Sequence, residues 1–412
     1  MYARPASRYV ARVSSEGPAA EPKPTRLRVL HATPSFAPAY RYGGPVRSVE
    51  GLVVELARLG VDVRVLTTDS HREERLDVGS EWQTWRGVPV RYLRRRAMPD
   101  LAPAYLWEAY REARRADVIH ILSIFSAPSM VALVAAELAG RAAVLSPRGM
   151  LEPAALAIAS ARTKRAWIAA FGPFLRRTAI FHATSAEEAT SIRHVLGDAV
   201  QVRVVPNGTD LEPLEAARAR KVRAAPTAVI GALGRIHPIK GLDRLIEAAA
   251  ILRSRGLDVD LKLAGPTQDA DHRASLERLA ARLSLTDRLH FPGELHGEAK
   301  LDFLAGCRVL ALPSHSENFG NVVVESLASL TPVVAAHGTP WGELEIAGAG
   351  RWVEGTPVAL ADAIEPYLRD ASLAASAGEQ GRTLVEQRYG WRRVALTMCD
   401  VYEEAVKIAR SR

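Results

Sequence analysis

The chain has 412 residues, 48% hydrophobic and 24% charged, which excludes a disordered polypeptide and allows two buried cores. No run reaches the roughly 18 apolar residues of a membrane span. The best candidate, "APSMVALVAAELAG" (127–140), is shorter, carries Glu137 and reads as a buried helix. Cys307 and Cys399 are the only cysteines and lack disulfide-framework or zinc spacing, which points to a reducing, cytoplasmic compartment. The formal charge of +8 is uneven: residues 1–210 hold 29 Lys and Arg against 20 Asp and Glu, the remainder 25 against 26. The basic first half suits an anionic membrane surface, an anionic substrate or nucleic acid, or is simply a solvated Arg-rich face.

Residues 1–25, rich in Pro, Ala, Ser and Arg and without the apolar stretch of a signal peptide, are expected to be a disordered basic tail. Short β-branched runs then alternate with amphipathic stretches, the signature of parallel βαβ units. Strands are predicted at "RLRVLHA", "VDVRVLTT", "VPVRYL", "ADVIHIL", "AAVLS", "AIFHAT" and "VRVVP", with helices such as "GPVRSVEGLVVELARLG" and "SAEEATSIRHV" between them. The polar stretch "LEPLEAARARKVRAAP" (211–226) interrupts this rhythm. It restarts with the strand "PTAVIGALGR", the helix "GLDRLIEAAAILRSRG" and the strands "VDLKLAG", "RLHFPG", "CRVLALPS" and "TPVVAA". The expected fold is α/β, with a first domain over 26–206, a linker over 207–226 and a second domain over 227–388. A closing amphipathic helix over 389–412 is able to pack back on the first domain. Two doubly wound, Rossmann-like domains in tandem bind ligands beyond their C-terminal strand ends, in the cleft between them.

Two segments carry chemistry. In "GALGRIHPIKGLDRLIEAA", Arg235 ends a strand and Lys240 and Gly241 open a helix. Two cations beside a helix N-terminus suit a diphosphate, unless both are merely solvated. Neither GxGxxG nor GxxxxGK[ST] occurs here. In "SHSENFGNVVVESLASLTPVV", Glu317 follows a strand, and Asn318, Phe319 and Gly320 are expected to begin a helix, with Gly320 allowing close backbone approach. Glu325 then lies about two turns in. A carboxylate there either receives vicinal hydroxyls or faces solvent.

E-N-F-G-N-V-V-V-E resembles the E-x7-E motif of retaining family-4 glycosyltransferases (glycosyl transferases group 1) with the GT-B fold. "GRIHPIKGLDRLIEA" is similar to that family's G-R-x-x-x-x-K-G segment, "VVPNGTD" to its P-N-G-x-D linker and "YRYGGPVRSVEGL" to its N-terminal glycine loop. "TPVVAAHGTPWGEL" is similar to its strand and loop after the motif. "HATSAEEA" and "SPRGML" resemble an exopolysaccharide and lipopolysaccharide branch, and the likeness runs from about Arg26 to the C-terminus.

The resemblance implies that Glu317 faces the donor sugar, Glu325 holds the nucleotide ribose, and Arg235 and Lys240 hold the diphosphate. Asn318, Phe319 and Gly320 would offer backbone contacts, and Gly43 and Gly44 would bring a second backbone to the diphosphate. Arg148, after another strand of the first domain, is expected to face donor or acceptor. His120 either reaches the sugar or is a satisfied core histidine, because Leu122 stands where the family often has a second, sugar-contacting histidine. Cleaving the anomeric C–O bond puts negative charge on the leaving nucleoside diphosphate, which fixed cations and a helix N-terminus stabilise. The resemblance therefore implies no cofactor and no metal, with retention by front-face attack.

In "ARTKRAWIAAFGPFLRRTA" (161–179), Trp167, Ile168, Phe171, Phe174 and Leu175 share one helical face flanked by Arg162, Lys164, Arg165, Arg176 and Arg177. This face packs on the sheet or touches anionic lipid. The expected activity is transfer of a hexose from a nucleotide-diphosphate sugar to a saccharide or polyprenyl-diphosphate-linked acceptor in surface-polysaccharide synthesis, at the inner face of the membrane. The alternatives are a non-catalytic sugar-nucleotide-binding subunit and a nucleotide-sugar epimerase, which would need a carboxylate cluster not evident in the first domain. A nucleic-acid partner is not expected, since aromatic residues are only 6% and no recognition motif accompanies the charge.

Overall fold

In the computed structural model, residues 27–71, 74–95, 104–157, 161–223 and 228–412 are described, and the tail expected over 1–25 lies outside them. The first half carries β1 (Arg28–Ala32), β2 (Asp62–Thr68), β3 (Ser70–His71), β4 (Glu74–Arg75), β5 (Trp82–Trp85), β6 (Val88–Leu93), β7 (Val118–Leu122), β8 (Ala142–Ser146), β9 (Ala179–Ala183) and β10 (Val202–Val204). Eight of these form one sheet in the order β10-β9-β8-β7-β1-β2-β6-β5, and β3 pairs with β4. β7, β8 and β9 are buried along their whole length, so they read as apolar runs rather than alternating patterns. β5 was not among the predicted strands. It is an antiparallel edge joined to β6 by Arg86 and Gly87, both at positive φ, a two-residue hairpin turn.

The second half carries β11 (Val229–Leu233), β12 (Asp260–Ala264), β13 (Leu289–Gly293), β14 (Val309–Leu312), β15 (Val333–Ala336) and β16 (Gly350–Val353), paired in parallel in the order β13-β12-β11-β14-β15-β16. β16, with its glycine and tryptophan, was also missed in the sequence. Chain direction across the sheet reverses between β1 and β7 in the first half and between β11 and β14 in the second. A crevice opens at the C-terminal ends of strands at such switch points.

Helices cover both faces of each sheet, and their starts are capped: Ser126 accepts from the Ser129 N–H, Ser185 from Glu188, and Asp269 from His272. Each such cap is worth about 1 kcal/mol. The helix predicted as buried, Ala127–Leu138, is buried on one face only, with Leu138 67% exposed.

The stretch expected as a linker contains a helix, Leu214–Arg223, that packs on the helix Gly297–Gly306. Its polarity is not that of a free tether, because Arg220 is buried and bonded to Glu212, Glu298 and Asp302. The last helix, Trp391–Arg410, lies on the first half: Val394, Met398, Val401 and Tyr402 share a core with Val49 and Val53 of the helix Gly44–Arg58. A Cβ on Gly51 or Gly208 would stand 2.2 or 2.4 Å from the Trp391 ring, so both positions require glycine. No helix among the described residues is long and apolar enough to cross a membrane.

Candidate active site

At the switch point of the second sheet, β11 ends before Gly234 and Arg235, and β14 ends before Pro313 and Ser314. These residues line one cavity together with Lys240. Lys240 closes a 3-10 turn, Pro238–Lys240, whose start is capped by the His237 ring accepting from the Ile239 N–H. Gly241, at φ 60°, then starts the helix Leu242–Ser254, and a Cβ there would meet the Pro313 carbonyl oxygen at 2.3 Å. The tight join fixes Lys240 against the β14 loop. Its Nζ donates to Glu317 Oε2 at 2.5 Å, and both side chains remain partly accessible. The Glu317 N–H donates to the Gly338 carbonyl, and its carboxylate also accepts from Ser314 Oγ at 3.3 Å. Arg235 is exposed at the rim and donates to Gln268.

The helix of the motif starts later than its sequence suggests. Gly320, at φ 80°, is the N-cap, and the helix runs from Asn321 to Ala328. Glu325 is therefore little more than one turn in. It is paired with Lys300 at 2.8 Å and is neither free in solvent nor buried alone. The Phe319 ring is buried against Trp341 and Tyr389, and its carbonyl accepts from the Trp341 indole N–H. Of its backbone, the N–H rather than the carbonyl is left for a ligand.

The first half reaches this loop at several points. Gly44 lies so close that a Cβ there would sit 3.4 Å from Asn321 Nδ2, and Gly43 before it has φ 75°. Arg47 donates to His296, which precedes the helix carrying Lys300. Asn318 Nδ2 donates to Thr184 Oγ1 at 2.9 Å, while its Oδ1 is buried and finds no donor among the described residues. Arg148, at φ 56°, donates to Asn207 Oδ1 at 2.6 Å, and Asn207 donates onward to Asn321 at 2.9 Å. Burial weakens the hold of the Arg148 guanidinium on its proton.

His120 does not join them. It is fully buried in β7, with Nδ1 2.7 Å from the Tyr402 hydroxyl and Nε2 2.7 Å from Ser146 Oγ. His31 lies 3.1 Å from the same Tyr402 hydroxyl, and Ser146 continues to His182 at 2.6 Å. The catalytic reading of His120 is thus corrected: the closing helix brings the Tyr402 hydroxyl to His31 and His120, both ring nitrogens of His120 are engaged, and His182 is held by Ser146 and the Val205 carbonyl, while His31 Nδ1 is buried and finds no partner among the described residues. Leu122 is buried at the strand end.

Two carboxylates of the first half that were not among the sequence candidates also reach this seam. Glu152 meets Ser316 across the seam, and Glu188 braces the same loop. The signal available was position: Glu152 stands four residues after Arg148, on the same loop beyond β8. The face predicted over 161–179 divides: Leu175 is buried, Trp167, Ile168 and Phe174 pack on the core, and Phe171 is 43% exposed beside exposed arginines. Among the described residues, no group of three or more His, Cys, Asp or Glu side chains is arranged to hold a metal ion.

Two sheets facing across a cleft, with cations and a helix N-terminus on one wall, define a glycosyltransferase of the GT-B type. A family model for "Glycosyl transferases group 1" matches residues 215–384, and one for a "Glycosyl transferase 4-like domain" matches residues 43–208. The chain belongs to this glycosyltransferase family. A D-inositol 3-phosphate glycosyltransferase of Saccharomonospora viridis is 30% identical, over 94% of this chain and 96% of that protein. One of Streptomyces coelicolor is 27% identical, over 98% of each. Among solved structures, Anabaena HepE in complex with UDP and glucose matches with a TM-score of 0.69 at 20% identity, over 92% of this chain and 99% of that one. WaaG, a glycosyltransferase involved in lipopolysaccharide biosynthesis, matches at 0.62 and 15% identity, over 92% and 99%. At these identities the solved structures speak for the fold.

Proposed function

We propose that the protein is a retaining hexosyltransferase that takes a hexose from a nucleoside-diphosphate sugar. The observation that carries this reading is the meeting of Gly43 and Gly44 with the helix start at Asn321, beside Lys240, Glu317 and Arg235. A diphosphate held there has a cation pair on one side and backbone N–H groups on the other. Lys240 and Arg235 take up the charge that develops as the anomeric bond breaks, so the chain needs no divalent ion for that purpose. Glu317 accepts from sugar hydroxyls while its own charge is balanced by Lys240. Glu325, balanced by Lys300, receives the ribose hydroxyls. Solved relatives of the fold bound to UDP-glucose and to UDP-2-fluoro glucose support a donor of this class.

For the acceptor, the leading reading is a saccharide or a lipid-linked saccharide of a surface polymer, at the inner face of the membrane. A second reading is favoured by the near full-length likeness to D-inositol 3-phosphate glycosyltransferases: a phosphorylated cyclitol, which the basic first half also suits. A panel of UDP-glucose, UDP-galactose, UDP-N-acetylglucosamine and GDP-mannose, scored by nucleotide release, tests the donor site. If no nucleotide is bound or released, the reading is wrong. Adding inositol 3-phosphate or an undecaprenyl-diphosphate saccharide separates the acceptors, and the anomeric configuration of the product by NMR checks retention.

A further inference from the structure

Three glutamates face the seam around the donor motif, and two of them have a lysine: Glu317 has Lys240 and Glu325 has Lys300. The third, Glu152, has no ion pair among the described residues. Its Oε2 accepts from the Ser316 hydroxyl at 3.4 Å, one residue before Glu317. The other titratable groups acting on it are acidic: Glu187 and Glu188 from the helix Ala186–Leu196, and Glu317 from the facing loop. Burial first, then Glu188, pushes the Glu152 carboxyl up to about 7, against the opposing Ser316 bond.

Its loop is held from both sides. The Gly149 N–H donates to one Glu188 oxygen at 2.6 Å, and the Thr184 N–H and hydroxyl donate to the other at 2.7 and 2.8 Å. The Glu152 N–H closes a turn onto the Gly149 carbonyl. Gly149 abuts Asn318 so closely that a Cβ there would lie 2.9 Å from the asparagine Cβ. On the neighbouring strand, Leu122 is buried and apolar, and Ser123 turns to the Met150 sulfur. A carboxyl without a cation is thus fixed beside the loop that carries Glu317.

We propose that Glu152 is a specificity-determining residue that hydrogen-bonds a hydroxyl of the transferred sugar from the first half's side of the seam, beside Ser316. This rests on the donor-site reading above. A neutral carboxyl both donates and accepts, and it adds no negative charge beside a leaving diphosphate.

The test uses the full chain and the donor selected by the panel. It measures binding of the free nucleoside diphosphate, acceptor-free hydrolysis of the donor, and the profile of that hydrolysis from about pH 5.5 to about pH 8.5. Glu152→Ala is expected to keep nucleoside-diphosphate affinity and to lower hydrolysis about tenfold, the worth of one hydrogen bond to a hydroxyl. Wild-type hydrolysis is expected to fall as pH rises through about 7. Glu152→Gln, which donates at every pH, should abolish that fall and retain most of the activity below it. The proposal is overturned if Glu152→Gln keeps the alkaline fall, if Glu152→Ala hydrolyses donor like wild type, or if Ser316→Ala reproduces the Glu152→Ala loss, which would make the seam contact the whole role. Failure of the wild-type protein to bind any nucleoside diphosphate would instead overturn the donor site itself.

Discussion

The two halves each gather polar side chains at the face where they meet, with opposite outcomes. In the first half, His31, His120, His182, Ser146 and Tyr402 are buried and bonded largely to one another. In the second, Lys240 and Glu317 pair at the mouth of the cleft and keep part of their surface. Both groups stand near the C-terminal ends of parallel strands, so strand position alone does not distinguish them. What does is the closing helix, which crosses to the first half and covers the histidines, while the second sheet's switch point carries a cavity lined by Arg235, Lys240 and Ser314. Buried polar groups that satisfy one another specify packing, whereas groups left facing a cleft remain available for a ligand.

The largest effect expected from breaking this contrast is at the open cluster. Lys240→Met should lower turnover about a hundredfold to a thousandfold, as removal of a preorganised charge partner does, with the thermal midpoint little changed. A variant that keeps its rate would remove Lys240 from the site. Glu317→Ala that binds donor and leaves product formation intact would remove Glu317 from the chemistry, and a wild-type protein that binds donor yet forms no product with any acceptor would favour the non-catalytic subunit reading. Next in size, Glu325→Gln should raise KM for the donor about tenfold with kcat almost unchanged, because ribose contacts are the same in ground and transition states. A fall confined to kcat would contradict a ribose role.

The closed cluster should respond in stability and not in rate. Tyr402→Phe removes the hydroxyl shared by His31 and His120 and should cost about 1–3 kcal/mol in denaturant unfolding, leaving kcat/KM near wild type. A large rate loss without a stability loss would return His120 to the active site. The most diagnostic effect is in pH. Burial, then Arg148, lowers His31 and His182 to about 3, and burial, then the neighbouring histidines, puts His120 well below its ordinary value. Each pKa is depressed in the folded state, so the unfolded chain takes up these protons first. Stability is then full above about 6.5 and drains as pH falls toward about 3. His182→Gln should flatten that slope by about one proton, and an unchanged slope would mean that His182 is charged in the fold.

Much of this was legible in the chain. Every predicted strand is present, and the central ones, such as β7, β8 and β9, read as continuous apolar runs because they are buried on both faces. The strands that were missed are the two-residue pair β3 and β4 and, in the two large sheets, β5 and β16, edges rich in tryptophan, glycine or polar residues, where burial imposes less. Arg235, Lys240, Glu317 and Gly320 follow the ends of β11 and β14 in the loops that lead into the next helices, so local geometry brings them to one side of the sheet. The helix start slipped from Asn318 to Asn321 because the αL backbone at Gly320 makes it a cap rather than a first turn.

The sequence by itself determined the two α/β halves and the loop that carries Glu317, since both follow from short-range pattern: apolar period, glycine placement and strand-end charge. Only the tertiary structure decided what His120 and Glu152 are. His120 depends on Tyr402, 282 residues away in the chain, and Glu152 on Ser316, 164 residues away. No local pattern encodes such contacts. A histidine covered by a distant helix loses its access to ligand, and a glutamate buried at a seam with no ion pair among the described residues is pushed up to about 7. In both cases burial and the choice of neighbour set the chemistry, and these exist only once the chain has folded.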